Sequence, residues 1–200
     1  VNSEYLAIDV AINSKITATF SEVMNPLTIT NLTFTLEAPV GTPVLGTVSY
    51  SGSSAVFTPE SNLATNTLYT ATITTGTYDL ASNALANNYV WSFTTGSNSD
   101  LIAPTVTGTI NANGATGVPI NTSIGATFSE GMDPLTITNL TFTLEAPVGT
   151  PVLGTVSYSG VNAVFIPLSN LASSTLHTVT IKGGVNGVSD LAGNAMTSDF

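Results

Sequence analysis

The chain has no cysteine and no arginine, one histidine, one tryptophan and two basic residues, Lys15 and Lys182. Each shortage closes a class of function. Without cysteine there is no disulfide, no thiolate metal centre and no thiol nucleophile, so packing and hydrogen bonds alone hold the fold. Two lysines against 12 acidic residues cannot neutralise a phosphate backbone, which excludes nucleic acid as a partner. A net charge of −10 removes attraction to anionic lipid in the same way. No apolar run reaches the ~18 residues of a membrane span, so direct membrane insertion is not expected. Charged residues are 7% of the chain, and Thr, Ser and Asn take over the surface from the usual ~25% of charged residues.

What is present is repetition. The stretch PLTITNLTFTLEAPVGTPVLGTVSYSG, from Pro26 to Gly52, recurs letter for letter from Pro134 to Gly160. Phe20 and Phe128 set a period of 108 residues. That is a domain-sized period, too long for solenoid or propeller repeats of roughly 20–50 residues. The expected modules are 1–98 and 99–200, joined by the short linker GSNSDLIA. A module of about 100 residues buries roughly two thirds of its unfolded surface, enough for its own core. Val1 is equivalent to Thr109 and Phe200 to Tyr89. The first module is therefore expected to lack its first strand and the second its last, as in a fragment of a longer array. Strand exchange between chains is one way to cover such edges.

Strand alternation runs through both copies. Ile16, Ala18 and Phe20 share one face, as do Ile124, Ala126 and Phe128. Leu32, Phe34 and Leu36 form a second apolar row, with Val48–Tyr50, Ala55–Phe57, Tyr69–Ala71–Ile73 and Tyr89–Trp91–Phe93 after it. Thr33, Thr35, Thr47 and Ser49 are expected to face solvent. Asn186-Gly187 between Val185 and Val188 reads as a type I′ hairpin turn. The second module carries three extra residues in this region, which loops tolerate and strands do not. Short strands with one apolar and one Thr-rich side predict an all-β fold of two β-sandwiches.

ANGATGVPINTSIGATFSEGMDP, NLASSTLHTVTI, SDLAGNAM and WSFTTG resemble the bacterial Ig-like domain of the S-layer and adhesin type. The resemblance implies two tandem Ig-like sandwiches of about seven strands each, in a secreted or cell-surface protein. It implies stalk, spacer or lattice duty, with neighbouring Ig-like modules as partners and no catalytic residues. Such modules also accompany ice-binding domains and polysaccharide-active enzymes. Tyr69 resembles the tyrosine corner of Ig-like folds, whose phenol bonds upstream backbone. Its equivalent in the second module is His177.

The candidate chemistry is sparse. Asp79, Asn83, Asp190 and Asn194 offer oxygens that suit Ca²⁺, as does Asp100 in the linker, where a cation would stiffen a rod. The competing reading of DLASN and DLAGN is an Asx-type loop, with Asn83 or Gly193 accommodating the turn. Glu130 and Asp133 form either a carboxylate pair or a turn, in which Asn25 or Asp133 caps a helical turn at Pro26 or Pro134. His177 is either a structural residue or the base of a triad. Trp91 and Phe93 read as core, while Tyr78 and Tyr89 are candidates for glycan contact. Three N-x-S/T patterns, at Asn31, Asn121 and Asn139, match glycosylation acceptors. The function read from all this is a non-catalytic spacer; the alternative is a carbohydrate- or protein-binding module that contacts a surface glycan or protein.

Overall fold

The computed structural model describes residues 7–200, which fall into two compact units that meet between Leu101 and Ile102. The expected loss of the first module's opening strand concerns residues before Ala7 and lies outside the described residues.

In the first unit the strands are β1 (Ala7–Val10), β2 (Ile16–Thr19), β3 (Phe34–Ala38), β4 (Thr42–Pro43), β5 (Gly46–Ser51), β6 (Ser54–Pro59), β7 (Leu68–Ile73) and β8 (Tyr89–Thr95). They form two sheets, β2-β6-β5 and β1-β8-β7-β3-β4. All pairs are antiparallel except β1 with β8. Alternation places Phe34, Leu36, Phe57, Tyr69, Ala71, Ile73 and Phe93 in one buried cluster between the sheets. This is a β-sandwich.

The second unit repeats the plan with β9 (Val106–Ile110), β10 (Ile124–Phe128), β11 (Phe142–Glu145), β12 (Gly154–Ser159), β13 (Asn162–Pro167) and β14 (Thr178–Ile181). Its sheets are β12-β13-β10-β9 and β11-β14. Phe128, Met132, Phe142, Leu144, Phe165 and Ile181 form its core. Registers repeat at the expected offset: Val48 faces Phe57 and Val156 faces Phe165.

The tyrosine corner is present in the first unit. The Tyr69 hydroxyl accepts from the Ala64 N–H at 2.8 Å, and its ring stacks on Phe93 at 5.7 Å.

Three sequence expectations are corrected. Leu32 does not join Phe34 and Leu36; it is 85% exposed in the turn before β3, as is Leu140 before β11 at 76%. Strand alternation begins only at Phe34, because a threonine turn occupies the residues before it. Thr33 is not a solvent-facing strand residue but the hub of that turn: its hydroxyl donates to the Thr28 carbonyl and accepts from the Thr30 N–H. Thr141 does the same and is buried. Asn186-Gly187 makes no type I′ hairpin. The turn is closed one residue earlier, by the Gly187 N–H on the Gly184 carbonyl, and no strands flank it. Val188 buries completely and its N–H returns to the Lys182 carbonyl. Core burial of Val188 thus overrides the local turn preference. Its counterpart Thr77 is equally buried, and its hydroxyl has no partner.

The repeated segment folds alike in both units except after β3 and β11. In the first unit Pro39–Gly41 makes a short helical turn and β4 pairs with β3. In the second, Ala146 N–H reaches the Thr150 carbonyl and Gly149 N–H reaches the Glu145 carboxylate. One sequence holds two loop conformations, so surroundings decide this loop.

Candidate functional site

In each unit a capped turn meets the Asx loop that carries the candidate aspartate and asparagine. In the first unit Asn25 Oδ1 accepts from the Leu27 N–H at 3.1 Å and starts the helical turn Pro26–Thr28. Proline fits there because the first turn needs no N–H from it. In the second unit Asp133 Oδ1 accepts from Leu135 N–H at 2.9 Å. Met24 and Met132, just before, are buried in the cores. Asp133 is therefore a buried cap at the start of its turn. A carboxylate there does what the Asn25 amide does, which explains the exchange between copies.

Each turn is stitched to the loop that carries the predicted calcium residues. Met24 bridges Asp79, and Met132 bridges Asp190. Asn25 N–H donates to the Tyr78 carbonyl, and Asp133 N–H to the Ser189 carbonyl. The structure brings Asp79 together with Asn83, and Asp190 with Asn194. Asp79 accepts from the Asn83 backbone N–H at 2.8 Å and from its side-chain amide at 2.7 Å. Asp190 accepts from the N–H groups of Ala192 and Asn194, both at 2.8 Å, and from the Asn194 amide at 2.8 Å. Both aspartates are buried. This is the geometry of an Asx loop locked by its own asparagine. The left-handed residue is Ser82 (φ 69°) in the first loop and Gly193 (φ 90°) in the second, so Asn83 does not take that role.

Asp100 lies in the first unit. Its N–H and carbonyl both bond the Asn13 side chain, at 2.8 and 2.9 Å. In the second unit Glu130 and Asp190 bring carboxylate oxygens within 4.8 Å of each other.

His177 Nδ1 donates to the Thr175 carbonyl at 2.9 Å, and Nε2 is buried without a partner. A triad base needs a carboxylate on one nitrogen and a nucleophile on the other. His177 has neither arrangement. Phe93 is buried, but Trp91 is only partly so. Trp91 lies between Phe34 (5.8 Å) and the exposed Tyr89 (5.5 Å). Tyr78 is 39% exposed. The Asn31 amide bridges the Gly46 carbonyl and the Val48 N–H, and Asn139 bonds the Gly154 carbonyl. These asparagines staple strands.

A family model described as bacterial Ig-like domain matches residues 2–95 and again residues 100–200. The chain is a tandem of bacterial Ig-like domains. Its fold is similar to the N-terminal part of the bacterial S-layer protein SbsC, at 14% identity and a TM-score of 0.39, over 86% of this chain and 42% of that one. It is also similar to domains 1–6 of SbsC, at 14% identity and a TM-score of 0.40, over 96% of this chain and 33% of that one. The two Ig-like domains thus span less than half the length of those S-layer chains. Comparison with curated proteins gives no match.

Sequence reasoning missed one polar anchor in each Ig-like domain. The Tyr50 hydroxyl accepts from Met24 N–H at 2.7 Å, and Tyr158 from Met132 N–H at 2.6 Å. Tyr158 also donates to the Gly160 carbonyl. Burial raises the Tyr158 phenol above its usual value, against the opposing pull of the Met132 N–H. The available signal was a tyrosine on the apolar face of β5 and β12, since such a phenol needs a buried partner.

The Asp79 lock has a pH signature. The Asn83 side-chain bond, then its backbone bond, hold the Asp79 carboxyl below the usual range, against burial, which raises it. A lowered native pKa means the stabilisation is complete above the unfolded value of about 3.9 and is lost as pH falls through the native value. The first domain's melting temperature is therefore expected to fall between about pH 5 and pH 2. Asp79→Ala should flatten that fall. Calorimetric scans across this range that give parallel curves for the two proteins would contradict the assignment.

Proposed function

We propose that the two Ig-like domains are non-catalytic spacer modules of a secreted or cell-surface bacterial protein, holding a functional domain away from the surface. The observation that carries this reading is the closure of each domain on its own core, with no residue shared between the two clusters. Asp79 and Asp190 are occupied in Asx loops and Asp133 in a cap. Module-to-module association within one chain, and attachment to surface glycan or protein, belong to the same reading.

A spacer must bear load module by module. Pulled by its ends in a single-molecule force experiment, the chain should unfold in two separate events. Each should release about 35 nm, from about 100 residues at roughly 3.5 Å each. A single event releasing twice that length would argue against independent modules.

A further inference from the structure

A sheet edge offers its backbone groups to any passing strand, and folds blunt such edges with proline, charge, bulges or short strands. In the first Ig-like domain the edge strand β4 is two residues long and contains Pro43. The edge strand β1 breaks register between Ala7 and Val10, with Asp9 left-handed at φ 57°. β5, at the edge of the other sheet, has none of these devices. It runs six residues, GTVSYS, without charge or proline and in unbroken register with β6. β12 is an edge strand of the same sequence, in unbroken register with β13.

The Asn31 side chain lies along that edge. Its amide donates to the Gly46 carbonyl at 3.0 Å, and its Oδ1 accepts from the Val48 N–H at 2.9 Å. One residue of a parallel neighbouring strand makes the same pair of bonds, to one carbonyl and to the N–H two residues further on. The threonine turn presents the amide: Thr33 Oγ1 accepts from the Thr30 N–H at 2.9 Å, and the Phe34 N–H donates to the Thr30 carbonyl at 2.8 Å. From the equivalent turn Asn139 donates to the Gly154 carbonyl at 3.1 Å. Backbone N–H groups alternate sides along a strand. The Tyr50 N–H therefore shares the outer edge with that of Val48, while those of Thr47 and Ser49 face β6.

We propose that Asn31 and Asn139 act as single-residue strands that close the outer edges of β5 and β12 against pairing with a second copy of the chain. An incoming strand must bond the Gly46 carbonyl and the Val48 N–H to enter the ladder, and the Asn31 amide already holds both. The competitor is the same edge of another copy. Two identical strands in antiparallel order are self-complementary about a two-fold axis. β5 and β12 bring no charge into such a contact, so the net charge of −10 lies elsewhere and is screened by salt. Asn31 is exposed, so water replaces its two bonds when the side chain is removed. Its loss therefore disturbs association more than folding.

Asn31→Ala removes the guard and leaves the threonine turn, whose bonds run through Thr28, Thr30 and Thr33. In sedimentation velocity the parent chain should stay monomeric from micromolar to millimolar concentration, and the variant should dimerise over that range. Amide exchange at Tyr50 should slow by at least about tenfold as the dimer forms, while Thr47 and Ser49 keep their rates. Adding Ser49→Lys, at an exposed position of the same strand, should return the double variant to a monomer, because the two edges then meet with like charges. Asn139→Ala tests the second domain in the same way, read at Tyr158. A variant that loses thermal stability but stays monomeric, with Tyr50 exchange unchanged at every concentration, would reduce Asn31 to a staple and overturn the proposal. So would a dimer that leaves Tyr50 unprotected, a dimer that Ser49→Lys does not dissolve, or a parent chain already paired at this edge.

Discussion

Replacing Phe34 by alanine is expected to destabilise the first Ig-like domain by about 3–5 kcal/mol. Phe34 is completely buried and touches rings from both sheets, Phe57 at 5.9 Å and Trp91 at 5.8 Å. The void would open between two sheets pinned by backbone ladders, with little freedom to collapse. A domain of this size loses roughly 4–8 °C of melting temperature per kcal/mol, so its transition should fall by tens of degrees. The second domain has its own core, and its transition should stay in place as an internal control. A calorimetric shift of only a few degrees would mean that Phe34 is not the keystone of this core.

Gly154→Ala should cost the second domain about 1–3 kcal/mol, against the usual direction for such a change. In a backbone conformation open to alanine, Gly→Ala commonly stabilises by about 0.4–1 kcal/mol by restricting the unfolded chain. At Gly154 sterics decide otherwise. A β-carbon there would lie 2.4 Å from the Phe165 ring and 2.7 Å from the Ile166 carbonyl oxygen. The strand cannot easily yield, because the Asn139 amide holds the Gly154 carbonyl. Gly46 meets Phe57 and Thr58 in the same way, at 2.6 Å, with its carbonyl held by Asn31. Chemical denaturation of Gly154→Ala that showed equal or greater stability would refute the close-approach argument.

The strands were largely legible, because period-two alternation reports directly on a face that must be buried. Tyr69, Ala71 and Ile73 are buried as the pattern required, with Thr70 and Thr72 less so. Errors arose where side chains bond backbone. Thr33 closes a turn through its hydroxyl, and no hydropathy pattern distinguishes that from a strand threonine. Val185 and Val188 looked like twin strand residues, yet one is 99% exposed and the other wholly buried. That difference comes from tertiary packing of the loop. The cap at Asn25 and Asp133 was legible from the proline after it. The Asp79–Asn83 lock was legible as a loop, and Gly193 as the left-handed residue of the second copy; in the first copy Ser82, at the equivalent position, turns left-handed in place of Asn83. The contact of Tyr50 with Met24 spans 26 residues and two elements, beyond the reach of local pattern.

The near-identical hairpins β5–β6 and β12–β13 bear on how the chain finds its fold. β5 and β12 have the same sequence, and each pairs with its own partner in the same register. In the unfolded chain β5 can therefore meet β13 as a near-perfect complement. The ladder offers little to reject that crossed pairing. Distance along the chain rejects it instead: the proper turn at Gly52 is a few residues long, whereas the crossed connection closes a loop of roughly 110 residues, which costs about 3–4 kcal/mol more entropy. Correct assembly of these twins therefore depends on each hairpin closing before its neighbour becomes available, and synthesis from the N-terminus, one domain ahead of the other, supplies that order.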